Sequence, residues 1–92
     1  MSPHVQTNFK TSKIRVALII EGGKIKPVWF EETDKPARDR VLIKSVNFSW
    51  LSQEGAAKVM HFGVTGGDAT IYKLSLNTRE FTWTLGIAEE TP

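Results

Sequence analysis

From Lys13 to Ile20 the chain alternates, with Ile14, Val16, Leu18 and Ile20 apolar on one parity. A period of two marks a strand with one buried face. Glu21-Gly22-Gly23-Lys24 follows, and a Gly-Gly pair between two such runs predicts a two-residue hairpin. That register sets Ile20 opposite Ile25, Leu18 opposite Pro27 and Val16 opposite Trp29. The reverse face carries Arg15 opposite Phe30 and Ile19 opposite Lys26. Trp29 is thereby predicted to face the core and Phe30 the outside. Pro27 has no N–H to give to a ladder, which predicts an unpaired edge at that point.

Glu31 to Asp39 reads as a charged loop broken by Pro36. Arg40 to Trp50 is the longest strand candidate, but its apolar parity changes from Val41 and Ile43 to Val46, Phe48 and Trp50. A strand cannot exchange faces without an extra residue, so a β-bulge or sharp bend is predicted near Lys44-Ser45. Leu51 to Lys58 reads as a connector interrupted by Gly55, with room for one helical turn. Met60, Phe62 and Val64 then share a face. A three-residue loop, Gly66-Gly67-Asp68, keeps that face in register by pairing Val64 with Thr70, Phe62 with Tyr72 and Met60 with Leu74, with a glycine in the left-handed position. A turn at Asn77-Thr78 pairs Leu74 with Phe81 and Tyr72 with Trp83.

Six strands and no helix follow. A flat six-stranded sheet would leave two edges and an apolar-leaning face open. The predicted fold is therefore all-β: a six-stranded antiparallel small, partly open barrel built from hairpins. Residues 13–87 form its single domain, flanked by flexible tails at 1–12 and 88–92. An oligonucleotide-binding fold is the nearest alternative, but the helix it usually places between its third and fourth strands has little room at 51–58.

Pro27-Val28-Trp29-Phe30, Trp50, His61-Phe62-x-Val64, Tyr72-x-Leu74 and Trp83-x-Leu85 resemble the spine of a family of small uncharacterised bacterial β domains. The resemblance covers roughly Lys13 to Leu85. It implies a bacterial source and a small β fold, and it assigns no site.

Composition narrows the chemistry. The 92 residues hold one core and no more. Cysteine is absent, which removes disulfides, thiolate zinc sites and cysteine nucleophiles, and favours a cytoplasmic setting. Met1 to Ser12 has no apolar segment of the signal-peptide kind, and Val16 to Ile20, the longest apolar run, is too short to span a bilayer. Twelve Lys and Arg against ten Asp and Glu leave a net charge of +2, so the high pI of 9.1 reflects near-balance rather than a basic surface.

No nucleophile–base–orienter set can be traced by spacing, and His61 is the only histidine in the body of the chain. In the predicted register it lies opposite Lys73, as a solvated or structurally bonded residue. No catalytic, cofactor-binding or metal-ligating residue is assigned; the chain is read as no enzyme, with no cofactor. The glycine pairs lack the Gly-Lys-Ser/Thr ending and following helix of a phosphate loop. Three Trp, five Phe and one Tyr in so short a chain point instead to a non-catalytic interaction module. Its expected contact is a rim at Phe48, Trp50, Lys58 and His61, or the open edge at Pro27, and its expected partner is another protein, with no membrane involved. The alternative is weak single-stranded nucleic-acid binding by stacking beside basic residues. Self-association is left open by the sequence.

Overall fold

The computed structural model describes residues 9–88. Six antiparallel strands follow one another in space as in sequence: β1 (Phe9–Glu21), β2 (Lys24–Glu32), β3 (Val41–Glu54), β4 (Ala57–Gly66), β5 (Ile71–Asn77) and β6 (Thr82–Ala88). β6 pairs back onto β1, so the predicted small barrel is present and closed. Closure enlists residues expected in the tails. Phe9 to Ser12 pair with β6, Phe9 lying opposite Ala88 and Ser12 opposite Leu85. The rest of both expected tails, 1–8 and 89–92, lies outside the described residues.

Two strands bend to close the barrel by changing neighbours along their length. β1 pairs with β6 through Lys13 and with β2 from Ile14 onward. β3 pairs with β2 only at Val41 and Leu42, and with β4 from Ile43 onward. The bend in β3 falls where the parity of its apolar residues predicted it: the register shifts between Ile43 and Ser45, and again between Val46 and Phe48. The two-pair ladder makes β2–β3 the weakest seam of the barrel.

The first hairpin turns on Gly22 and Gly23, with φ of 58° and 78°, as a type I′ turn requires. Its register matches the sequence reading from Ile20–Ile25 to Leu18–Pro27 and then slips, so that Ala17 faces Trp29 and Val16 faces Phe30. Val28 is the extra residue. The slip reverses the two aromatics: Phe30 is in the core at 2% exposure, and Trp29 faces outward. Outside, Trp29 lies under the Arg40 guanidinium, 3.7 Å from its ring centroid. Arg40 also bonds the buried Glu31 at 3.1 Å, and Arg15 reaches the same carboxylate at 3.5 Å. This clamp sits at the seam where β2 and β3 meet.

The expected connector at 51–58 is strand instead. β3 runs on to Glu54, Gly55 at φ 62° opens a two-residue turn, and Glu54 pairs with Ala57. The β4–β5 loop has the predicted three residues, moved one place along to Gly67-Asp68-Ala69. Val64 accordingly faces Tyr72 and Phe62 faces Leu74. Asp68 fixes the shift by accepting bonds from the Thr70 N–H at 3.1 Å and the Tyr72 hydroxyl at 2.5 Å. The left-handed residue is Ala69, φ 68°, rather than a glycine. The β5–β6 turn is longer than predicted because the Asn77 side chain caps it, accepting from the N–H groups of Arg79 and Glu80. Leu74 therefore faces Leu85 and Leu76 faces Trp83. Phe81, expected in the core, ends this turn at φ 57° and 76% exposure.

The interior is built from Ile14, Phe30, Phe62, Val64, Tyr72, Leu74 and Leu85. Phe30 meets Tyr72 edge to face at 4.9 Å. Trp83 packs at the margin, 5.9 Å from Phe62.

Candidate functional site

Alternation that buries Phe62 and Val64 inside the barrel turns Val59, His61 and Gly63 of β4 to its outer face. Cross-strand pairing then lays out rows. Phe48, Gly63, Lys73 and Gly86 form one; Trp50, His61, Ser75, Thr84 and Lys13 form the next; Ser52, Val59, Asn77 and Thr82 form a third. Two depressions lie on this face. One of about 270 Å³ is lined by Phe48, Trp50, Gly63, Ile71 and Lys73. The other, of about 320 Å³, is lined by Glu54, His61, Ser75, Asn77 and Thr84, with Lys73 and Gly86 common to both.

Three aromatic rings run along the β3 side. Phe48 stacks on Trp50 with centroids 5.3 Å apart and planes at 24°, and Trp50 stacks on His61 at 4.9 Å and 21°. Gly63 makes the first of these positions possible: a Cβ there would stand 2.7 Å from the Phe48 Cζ, so the ring lies across the space a side chain would fill. Phe48 and Trp50 nevertheless keep 58% and 40% of their surface open. They form an exposed, stacked aromatic face.

His61 is the buried end of the row. Its Nδ1 lies 2.8 Å from the Ser75 Oγ and its Nε2 2.7 Å from the Ser52 Oγ, while the Ser52 hydroxyl donates to Glu54 at 3.3 Å. One assignment satisfies all of them: Ser75 donates to Nδ1, and Nε2–H donates to Ser52, which donates to Glu54. Burial, and after it the positive charge of Lys73, hold the His61 pKa below its ordinary 6.5, against the opposing pull of Glu54. The ring is therefore neutral at neutral pH and locked from both sides. A hydroxyl bonded to an imidazole is the first element of nucleophilic catalysis. Here Ser75 is itself buried, and its bond to His61 fixes the ring on which Trp50 rests.

Of the four residues predicted to form a rim, the structure unites Phe48, Trp50 and His61. Lys58 is not with them. It pairs with Gln53 on the opposite face of the β3–β4 hairpin, because the strand replacing the expected connector alternates through it. His61 faces Ser75 and Trp50 rather than Lys73, in consequence of the shifted β4–β5 loop. Ser52, Glu54, Gly63 and Ser75 belong to the site and were not read from the sequence; the two-residue turn at Gly55 is the signal that would have placed Ser52 and Glu54 beside His61. Pro27 is buried, and the described β2–β3 pairs begin only at Trp29, so the strand does lack a partner on that side from Lys24 to Val28. A cleft of about 920 Å³ lies there, with Lys24, Lys26, Lys44, Val46, Phe48 and Met60 among its walls.

Among the described residues no group of three His, Cys, Asp or Glu side chains is placed to hold a metal ion, and no helix is long and apolar enough to cross a membrane. No protein-family model, curated protein or solved structure matches the chain.

Proposed function

We propose that this barrel is a non-catalytic interaction module and that its outer aromatic face receives an extended segment of another protein. The observation that carries this reading is the stacked row Phe48–Trp50–His61: two large rings left open to solvent, one lying in the space over Gly63 and the other stacked on the serine-bonded histidine. Aromatic side chains have few rotatable bonds and, already stacked on one another, lose little entropy on binding, and such residues dominate protein contacts. The adjoining depressions, apolar beside Ile71 and polar beside Ser75 and Thr84, suit a segment whose apolar and hydrogen-bonding groups alternate. The cytoplasmic and bacterial setting expected from the sequence belongs to the same proposal.

Selection of displayed random peptides on the immobilised barrel tests it. Enriched peptides are expected to lose at least tenfold in affinity on Trp50→Ala, about 1.4 kcal/mol. Affinities untouched by Trp50→Ala and Phe48→Ala would remove this face from the reading.

The second reading, single-stranded nucleic acid, draws on Lys73 and Lys44 lying on either side of the aromatic pair. Base stacking on Phe48 and Trp50 with phosphate contacts to these lysines would weaken steeply as salt rises. A fluorescent oligothymidine titrated at low and then raised salt separates the two readings.

A further inference from the structure

We infer that β3 is a self-pairing edge through which two copies of this chain join antiparallel into one continuous sheet. Beyond Leu42, β3 has described partners on its β4 side alone. The two-residue turn makes Glu54–Ala57 a hydrogen-bonded pair, and alternation from there turns the N–H and C=O groups of Gln53, Leu51 and Ser49 away from β4, toward the open side.

Open edges are normally guarded by charge, proline or a bulge. Bulges at Lys44 and Asn47 twist the start of this one, but Ser45 to Gln53 contains neither charge nor proline. Val46, Phe48, Trp50 and Leu51 in that stretch are all exposed. From Phe48 to Gln53, beyond the bulges, this edge is unguarded and offers a pairing surface.

The sequence along the edge is complementary to itself. Placed antiparallel with Ser49 facing its own counterpart, Phe48 of each copy meets Trp50 of the other, and beyond the bulges the Glu54 end of each copy comes to the Lys44 end of the other. Opposite charges at the ends and aromatic pairs near the centre are the contacts that stabilise antiparallel partners. Room exists for the incoming strand end: the cleft between β2 and β3 lies beside this edge. Its Lys24, Lys26 and Lys44 make no ion pair among those of the described residues, so the cleft offers three positive charges, against Glu21, to the arriving Glu54. A second copy brings that carboxylate in the matching register, whereas the edge itself carries no charge to select a foreign strand. Pairing extends the sheet sideways and leaves its outer face open, so the aromatic rows of the two copies become one platform. The inference stands whether or not that platform binds a peptide.

Sedimentation velocity across a concentration series, with cysteine cross-linking, tests it. The chain has no cysteine, so a single introduced one can link only to its copy. Facing residues in a hydrogen-bonded antiparallel pair stand about 5.5 Å apart at Cα, within disulfide reach. The wild type is expected to sediment as a dimer, and Ser49→Cys to form a disulfide dimer on mild oxidation while Asp34→Cys in the β2–β3 loop does not. Leu51→Lys is expected to be monomeric with an unchanged circular dichroism spectrum. A wild type monomeric at high micromolar concentration overturns the inference, as does a dimer in which Ser49→Cys fails to link. Should Leu51→Lys fail to fold, the cross-link alone decides.

Discussion

Trp50 lies on His61 with centroids 4.9 Å apart, and the imidazole beneath is held by a serine at each nitrogen. The arrangement depends on that imidazole being neutral. Burial and Lys73 place its folded pKa below 6.5, so the unfolded chain takes up the proton first as pH falls. Above about 6.5 both states are neutral and stability is complete; it declines as pH drops below that value and levels off once folded His61 itself protonates. Urea denaturation at steps from neutral toward mildly acidic pH is expected to show this fall, and His61→Gln to flatten it. An equal slope in both proteins would contradict the account.

Gly63 and Gly66 lie three residues apart on β4 and respond differently to a methyl group. At Gly63 the obstacle is the Phe48 ring, whose exposed position lets it swing away. Gly63→Ala is expected to cost less than about 1 kcal/mol while disturbing the Phe48–Trp50 stack. At Gly66 a Cβ would meet Tyr72 and Val41, both at 2.9 Å, and the Asp68 carboxylate at 2.6 Å. That change is expected to cost about 1–3 kcal/mol, with thermal denaturation as the measure.

Tyr72, the single tyrosine, can be titrated by its own absorbance. Burial, and after it the hydrogen bond to Asp68, push its pKa up to about 12. The phenolate band is expected to rise near that pH in the folded protein and earlier in Asp68→Asn, which removes the neighbouring negative charge. Because the folded pKa exceeds the unfolded value of 10.0, this group's stabilisation is whole below pH 10.0 and is lost as pH climbs toward 12.

Phe81 holds a left-handed conformation, φ 57°, with its side chain in solvent. The strain has no packing to offset it. Phe81→Gly is expected to stabilise the barrel by about 1 kcal/mol, read as a rise in melting temperature.

The strands and the bulge near Lys44 were legible because period-two alternation is a local property. The type I′ turn at Gly22-Gly23 was equally so. Misplacements arose where a polar side chain, rather than apolar parity, chose the register. Asp68 moved one loop by a residue and Asn77 lengthened the next, and each kept Phe62, Leu74 and Leu85 inside while changing their partners. Val28 reversed Trp29 and Phe30 because a bulge beside a proline leaves no mark on hydrophobic periodicity. The site suffered most: Ser52, Ser75 and Glu54 reach His61 only across strands whose pairing those turns decide.

The binding face is tested most directly by a 15N-HSQC titration of the barrel with a peptide enriched on it. Shifts are expected at the Trp50 indole and at the amides of His61, Gly63, Lys73 and Ser75, with the β1–β2 hairpin tip at Gly22-Gly23 unmoved. Shifts confined to that hairpin, with the Trp50 indole still, would contradict the assignment.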